Sequence, residues 1–191
     1  MKDLKPPDSG GISWLNKMKD LKAFIRDVPD FPKPGIVFKD ISTLIKEQEA
    51  FREACHRMAD KFQNTKIDKV VSIEARGFLF GAPIAYLLGT GIVPVRKPKK
   101  LPAEKEVIEY DLEYGTDTLE IHKDGIESGE RVLIVDDLLA TGGTALATCQ
   151  LVEKVGGKIV GLTFLIELEF LKGREKLKGY EMTSLIIYDK E

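Results

Sequence analysis

The sequence is poor in cysteine, histidine and tryptophan, with two, two and one of them among 191 residues. Cys55 and Cys149 form no C-x-x-C pair, and the chain does not begin with a basic segment followed by an apolar one. These absences argue against a disulfide framework and a secretory signal, so we expect a reducing cytoplasm. His56 and His122 lack the spacing of metal ligands, so we expect no metal site that the protein builds alone.

Neither sign of charge dominates, because 29 basic residues face 31 acidic ones and the formal net charge is −2. This balance excludes an electrostatic footprint for nucleic acid over the whole chain. Residues 77–95 carry no charge, and they approach the length of a membrane span. Glycines and prolines divide them into a helix near residues 78–88 and a strand near residues 92–95, so we expect a buried segment of one globular domain.

The beginning of the chain contains a repeat. Residues 1–5 read Met-Lys-Asp-Leu-Lys, and residues 18–22 read the same five letters. We predict that residues 1–17 are an extension or leader and that the functional chain begins at Met18; a native flexible terminus stays an alternative. Four apolar residues at helical spacing favour a first helix that continues into this extension: Trp14, Met18, Leu21 and Ile25.

Strand-like and helix-like segments alternate through the rest of the chain. Prolines keep the chain extended before residues 36–41, and residues 46–191 then form the predicted core. The predicted strands are residues 69–73, 92–95, 118–121, 132–135, 159–166 and 184–188, and the predicted helices are residues 47–62, 78–88, 144–155 and about 170–177. This alternation is typical of an α/β fold with a doubly wound, mainly parallel sheet, over whose carboxyl edge residues 18–45 would form a small cap.

Residues 132–144 carry the most informative pattern. A run of apolar side chains typical of a central strand ends in Asp136 and Asp137, and ligands of parallel sheets bind at the carboxyl ends of strands. Residues 141–144 form a glycine-rich turn before a helix, so free backbone N–H groups and a helix dipole would meet a phosphate there. No lysine follows the glycines, unlike in a Walker motif, which indicates a phosphate that is held and not transferred.

The two carboxylates narrow the class of ligand. A phosphate alone does not favour two adjacent acids, so a neutral or cationic group should lie between them and the phosphate. Ribose 5-phosphate satisfies this requirement if residues 140–144 hold its phosphate. Asp136 and Asp137 would then accept hydrogen bonds from the 2- and 3-hydroxyls or approach a metal bound to them.

Residues 132–144 resemble the phosphoribosyl pyrophosphate motif of the type I phosphoribosyltransferases. Further segments resemble the members of that family that use adenine: residues 30–42, 74–81, 96–97 with 100–102, and 112–115. The similarity spans about residue 24 to the C-terminus. It implies a purine salvage enzyme that converts adenine and 5-phosphoribosyl 1-pyrophosphate into AMP and pyrophosphate.

The resemblance also implies which residues bind anions. The phosphate loop and ribose site are Asp136, Asp137, Ala140, Thr141, Gly142, Gly143 and Thr144, and the pyrophosphate site is Arg76, Arg96, Lys97 and Lys100. From the residues alone, Arg76 could instead pair with Glu74 at the surface, and the basic run could be a solvated loop or a nucleic-acid patch. Lys99 stands where a small residue is expected.

The same resemblance implies which residues bind the base and which residue transfers the proton. Adenine would contact Val37, Phe38, Lys39 and Leu138, the first three chiefly through backbone groups and ring stacking. Glu113 would act as general acid/base near N7 of the purine, and Tyr114 would belong to a mobile lid of about residues 96–118 that excludes water. Without the resemblance, Glu113 would be interpreted as an exposed strand residue and Phe38 as core.

Mg²⁺ is the expected cofactor, and it would arrive with the pyrophosphate substrate and approach Asp136, directly or through water. The resemblance implies a homodimer with no nucleic-acid or membrane partner. Two rivals stay open: an oxopurine phosphoribosyltransferase, and a non-catalytic regulator that senses phosphoribosyl pyrophosphate. The regulator is disfavoured because few residues precede the core and the net charge is slightly negative.

Overall fold

The computed structural model describes residues 20–111 and 115–190. The chain divides into two compact units, residues 1–53 and residues 54–191. The fold class expected from the sequence is confirmed in the second unit, which contains a five-stranded parallel sheet with flanking helices.

The described part of the first unit is a short hairpin followed by helices. A 3-10 helix (Leu21–Phe24) precedes strands β1 (Arg26–Val28) and β2 (Phe38–Asp40), which pair antiparallel. Helix α1 (Ser42–Ile45) follows, and helix α2 (Gln48–Asp60) begins in this unit. The prediction that the first helix includes Ile25 is wrong, because Ile25 has extended backbone angles and caps the 3-10 helix. Residues 1–19, including Trp14 and Met18, lie outside the described residues.

The second unit is built on five parallel strands in the spatial order β4-β3-β7-β8-β9. Its remaining elements, in chain order, are β3 (Lys69–Ile73), α3 (Gly77–Leu88), β4 (Gly91–Val95), β5 (Lys105–Asp111), β6 (Thr116–His122), β7 (Arg131–Leu139), α4 (Gly143–Lys154), β8 (Lys158–Leu168), a 3-10 helix (Glu169–Leu171), α5 (Gly173–Lys176) and β9 (Met182–Tyr188). Numbered along the chain, the sheet strands follow the order 2-1-3-4-5, a doubly wound arrangement.

Helices cover both faces of the sheet because strand side chains alternate between the faces. Ser72 of β3 faces α3, and the approach is so close that a Cβ atom on Gly81 would lie 2.4 Å from Ser72 Cβ. Its neighbours Val71 and Ile73 pack on the other face, in a buried cluster with the apolar residues of α4. No helix among the described residues has the length and apolar character needed to cross a bilayer.

Three features differ from the sequence predictions. The helix expected near residues 170–177 is instead a 3-10 helix and the short α5, separated by Lys172 with a φ of 54°. Strand β5 was not expected, and it pairs antiparallel with β6 from Lys105↔His122 to Asp111↔Thr116. Strand β7 does not end at the two aspartates but continues to Leu139, because β8 pairs with it over nearly that whole length.

Candidate active site

A cavity of about 270 Å³ lies at the carboxyl ends of β3 and β7. Between these two strands the order of the sheet reverses, and this switch point is where doubly wound sheets bind ligands. The chain leaves β3 toward β4 on one side and leaves β7 toward β8 on the other, so the two loops splay apart and open a crevice. The cavity is lined by Ile73, Glu74, Ala75, Arg76, Lys97 and residues 136–145.

The predicted phosphate loop, residues 140–144, lines this cavity as a whole. It connects β7 to α4, whose first residue is Gly143. Gly142 caps the helix with a φ of 79°, a left-handed conformation that glycine adopts without steric cost. The first N–H groups of α4 have no acceptor within their own helix, so the sequence places donors and the positive helix end at the cavity.

The two aspartates of β7 are buried at the floor of the cavity. Asp136 Oδ1 accepts a hydrogen bond of 2.9 Å from the Asp137 N–H. A Cβ atom on Gly77, the first residue of α3, would lie 2.6 Å from this same oxygen, so only glycine allows the carboxylate there. Burial raises the pKa of Asp136, and the neighbouring charge of Asp137 raises it further. Burial also raises the pKa of Asp137, against the opposing effect of Arg76.

Arg76 is the cation that faces this pair. Its Nη2 atom lies 2.9 Å from Asp137 Oδ2, and the two side chains are 37% and 7% exposed. The contact is an ion pair without hydrogen-bond geometry, because Asp137 Oδ2 is buried and has no hydrogen-bond partner among the described residues. A buried carboxylate oxygen in that state calls for a donor from outside the protein, such as a ligand hydroxyl. The sequence left open a surface pair of Arg76 with Glu74, and the structure pairs Arg76 with Asp137.

Glu74 instead organises the basic segment that follows β4. Its carboxylate accepts hydrogen bonds of 3.3 Å from Arg96 Nε and Nη2 and one of 3.0 Å from the Lys97 N–H, and Lys100 Nζ lies 3.2 Å away. Burial alone would raise the pKa of Glu74, but these hydrogen bonds outweigh burial and lower it. The predicted anion-binding residues are therefore gathered beside the cavity, of whose wall Lys97 is a part.

The backbone conformation of Lys99 accounts for the small residue expected at this position. Its φ is 67°, in the left-handed region that favours glycine. A lysine there strains the backbone by about 1–2 kcal/mol. The position therefore favours a small residue for its backbone conformation, whatever the side chain contributes.

Tyr110 and Asp117 are site residues that the sequence analysis missed. Tyr110 Oη lies 3.1 Å from Thr144 Oγ1 of the phosphate loop and donates to Asp117 Oδ2 at 3.2 Å, and Asp117 also pairs with Lys97. Burial would lower the pKa of Lys97, but its hydrogen bond to Asp117 outweighs burial and raises it. The hairpin β5–β6 thus contacts the phosphate loop. The alternation of residue types in β5 was the available signal for a strand, but the contact of Tyr110 with Thr144 joins residues far apart in the chain.

Glu113 and Tyr114 follow β5 in the sequence and lie outside the described residues, so their roles stay predictions. The expected lid of about residues 96–118 contains β5 and part of β6.

The residues predicted to bind adenine are divided between the two units. Leu138 of β7 is partly buried and lines the cavity. In the first unit, Phe38 is partly buried and packs edge-to-face on Phe31, with ring centroids 5.2 Å apart. Lys39 is buried, and its Nζ lies 3.0 Å from Asp27 Oδ1 on the paired strand. The Lys39 side chain therefore takes part in the hairpin, and Val37 just precedes β2.

The donor set suits a metal that brings most of its own ligands. No group of three or more His, Cys, Asp or Glu side chains among the described residues could hold a metal ion. Asp136 and Asp137 offer carboxylate oxygens at the cavity, one of them without a hydrogen bond. Mg²⁺ prefers this situation, because it keeps several waters and binds phosphate oxygens with one or two carboxylates.

Comparisons with known proteins agree with this geometry. A model of the phosphoribosyl transferase domain matches residues 42–188. An adenine phosphoribosyltransferase from Solibacter usitatus is 60% identical over 173 residues, which are 91% of this chain and 100% of that protein. The crystal structure of the adenine phosphoribosyltransferase from Thermoanaerobacter pseudethanolicus is similar with a TM-score of 0.87 and 56% identity, covering 90% of this chain and 99% of that one.

A third relative carries ligands. The Saccharomyces cerevisiae adenine phosphoribosyltransferase, in complex with an iminoaltritol bisphosphate and adenine, is similar with a TM-score of 0.83 and 40% identity, covering 90% of this chain and 99% of that one. Since the domain matches most of the chain and these relatives exceed 30% identity over nine tenths of it, the chain belongs to the phosphoribosyl transferase family, among its adenine phosphoribosyltransferases.

Proposed function

We propose that the cavity between β3 and β7 is where this chain converts adenine and 5-phosphoribosyl 1-pyrophosphate into AMP and pyrophosphate. The observation that carries this proposal is the buried Oδ2 of Asp137, which pairs with Arg76 but has no hydrogen bond among the described residues, beside a loop that opens a helix. A ligand for this cavity must supply a hydroxyl donor a few ångströms from an anion. A ribose 5-phosphate group combines these two features in one molecule.

The ribose 5-phosphate end is held by β7 and the loop after it. The backbone N–H groups of residues 140–144 and the positive end of α4 bind the phosphate. Asp137 Oδ2 accepts a hydrogen bond from a ribose hydroxyl, which adds the hydrogen bond that this oxygen lacks among the described residues. The negative charge of these carboxylates also favours the positive charge that develops at C1 as the reaction proceeds.

The pyrophosphate end is held by cations from two loops. In the reaction, the bond from C1 to the pyrophosphate oxygen breaks and that oxygen keeps the electron pair, while N9 of adenine forms the new bond to C1. Arg76 and Lys97, which line the cavity, neutralise the departing anion. Arg96 and Lys100 complete this site from the segment that Glu74 organises.

A third set of residues binds adenine and transfers its proton. Leu138 packs on one face of the purine, and Val37, Phe38 and Lys39 contribute backbone groups and an aromatic ring. Adenine must lose a proton when it attacks through N9, and Glu113 acts on that proton as general acid/base near N7. Tyr114 closes with the lid and keeps water from the cationic carbon.

Asp136 would hold Mg²⁺, directly or through water, when the ion arrives with the substrate. When bound, the ion neutralises charge on the pyrophosphate. The cytoplasm is the proposed compartment, which the free thiols of Cys55 and Cys149 support.

The outer face of α3 supports a homodimer. Tyr86 is 86% exposed, and Leu79 and Leu87, which lie on the same side of the helix, are 44% and 40% exposed. The helix carries no charged side chain. An uncharged apolar face of this kind on a folded protein marks an interaction site, and a second copy is the occupant that the resemblance implies.

Replacing Tyr86 with lysine should dissociate the dimer, because a charge would be buried in an apolar interface. Light scattering at micromolar concentration should give about twice 21.3 kDa for the native chain and a mass approaching 21.3 kDa for the variant. Gln150→Lys, an exposed substitution on α4, is the control and should leave the mass unchanged. A native mass of one chain would contradict the dimer.

The function is tested by pyrophosphate release with adenine, guanine, hypoxanthine and xanthine, each offered with phosphoribosyl pyrophosphate and Mg²⁺. Turnover with adenine alone, lost when a chelator removes Mg²⁺, is the expected result. Turnover with oxopurines would support the proposed site but contradict adenine as the base. Binding of phosphoribosyl pyrophosphate without turnover of any purine would favour the regulator.

A further inference from the structure

The phosphate loop is in direct backbone contact with the start of α5. A Cβ atom on Gly173 would lie 2.1 Å from the carbonyl oxygen of Ala140 and 2.8 Å from the backbone nitrogen of Gly142. In the other direction, a Cβ atom on Gly142 would lie 2.4 Å from the carbonyl oxygen of Gly173. Both positions therefore require glycine, and the start of α5 supports the backbone of the loop.

An ion pair between the half-exposed Arg174 and the buried Glu167 holds α5 in this place. Arg174 donates two hydrogen bonds to Glu167 at the end of β8, Nε to Oε1 at 2.9 Å and Nη2 to Oε2 at 2.5 Å. Ser184 Oγ of β9 donates to Glu167 Oε2 at 2.7 Å. Glu167 is 3% exposed, and its hydrogen bond from Arg174 lowers its pKa. A two-pronged contact of this kind fixes orientation as well as distance.

This arrangement has a consequence for ligand binding. N–H groups that bind phosphate must be held within a fraction of an ångström, and loops achieve this only when other elements restrain their backbone. Gly173 restrains the loop at Ala140 and Gly142, and Arg174, the next residue along the chain, is anchored through Glu167 to the sheet. The restraint therefore reaches the loop from β8 and β9, which line no part of the cavity.

We propose that Gly173 is a positioning residue for the 5-phosphate group, held in register by the Glu167–Arg174 pair. The inference rests on the proposed function, since it deepens the role of residues 140–144. It assigns no contact with substrate to Gly173. It also predicts that a change in α5 affects phosphate binding and not pyrophosphate binding, because α5 contributes nothing to the proposed positions of Arg76 and Lys97.

The experiment measures the affinities of ribose 5-phosphate and of Mg²⁺-pyrophosphate separately by calorimetry. In Gly173→Ala, the added methyl group displaces the Ala140 carbonyl, so the ribose 5-phosphate dissociation constant should rise about 10- to 100-fold, in the range lost when a binding group is misplaced. The pyrophosphate dissociation constant should stay within about twofold of the native value.

Gly179→Ala is the matched control. Gly179 lies in the same C-terminal segment with a φ of 101°, but a Cβ atom there would meet nothing within 4 Å. This variant is strained without touching the loop, so it should lower thermal stability and keep native affinity for both ligands. A purely structural role of Gly173 would give the same pattern as this control.

Arg174→Met and Arg174→Lys keep the test decisive if Gly173→Ala folds poorly. Arg174→Met should weaken ribose 5-phosphate binding in the same direction, and Arg174→Lys should recover part of the loss, because it keeps the charge but not the two-pronged geometry. Native ribose 5-phosphate affinity in a folded Gly173→Ala or in Arg174→Met, or an equal loss of pyrophosphate affinity, would overturn the inference. Failure of the native chain to bind ribose 5-phosphate would count against the proposed function instead.

Discussion

Asp137→Asn should stabilise the protein and remove most of its activity. Asp136 and Asp137 are adjacent and buried, and burial raises the pKa of both. The charge of Asp137 raises the pKa of Asp136 further. A carboxyl group whose pKa is higher in the folded than in the unfolded chain destabilises the fold above the unfolded pKa. Removing one of the two charges relieves this destabilisation.

The expected gain is on the order of 1 kcal/mol, which for a chain of this size corresponds to about 2–4 °C in the unfolding midpoint. The gain should shrink as the pH falls toward the unfolded pKa of aspartate, because protonation relieves the repulsion in the native chain as well. Asparagine keeps the shape of the side chain but donates where the proposed site requires an acceptor. We therefore expect kcat/KM to fall about 100- to 1000-fold.

Asp68→Asn is the control for the stability measurement, and its effect should have the opposite sign. Asp68 Oδ2 accepts a hydrogen bond of 2.8 Å from the Arg131 N–H, which lowers the pKa of Asp68. Its carboxylate therefore stabilises the fold above the unfolded pKa, and this contribution is lost as the pH falls. Thermal unfolding of both variants between about pH 2 and pH 8, a range that includes the ordinary aspartate pKa of about 3.9, tests both signs. Destabilisation by Asp137→Asn at neutral pH would refute the account.

Arg76→Ala should reduce both activity and stability. The variant loses the cation that faces Asp137 at 2.9 Å, and the buried carboxylate pair is left without that compensation. Because the Arg76 side chain is 37% exposed, the loss of stability should be modest, at most about 1 kcal/mol. Activity should fall about 100- to 1000-fold in kcat/KM for phosphoribosyl pyrophosphate, the range found when one preorganised electrostatic group is removed.

The pH profile separates the two effects of Arg76. Arg76 lowers the pKa of Asp137, so its removal should shift the acidic limb of the residual activity toward higher pH. Arg76→Lys keeps the charge without the planar fork and should recover part of the activity. The double variant Arg76→Ala with Asp137→Asn should recover stability but not activity, because the two side chains interact. Full activity of Arg76→Ala would exclude it from the pyrophosphate site.

Local patterns in the sequence were sufficient for the phosphate loop. An apolar strand, two acids, a glycine-rich turn and a helix follow one another within residues 132–144, and each element is set by its own neighbours along the chain. In the structure, residues 140–144 line the cavity together with Asp136, Asp137 and Leu138. The sequence also placed the strand before Arg76, residues 69–73, with the bounds that the structure has.

Contacts between distant parts of the chain were not predictable in this way. Which acid pairs with Arg76, and which with Arg96, depends on the order of β3, β4 and β7 in the sheet. The contact of Tyr110 with Thr144 depends on how the β5–β6 hairpin packs on the start of α4.

The sequence by itself determined the fold class and the glycine-rich turn that opens a helix after the two aspartates, because hydrophobic period and glycine placement act over a few residues. Only the tertiary structure decided the pairing of Asp137 with Arg76, the role of Glu74 as organiser of the basic segment, and the contact between Gly142 and Gly173. These features depend on burial and on backbone approach between elements far apart in the chain, and such distances are set by packing.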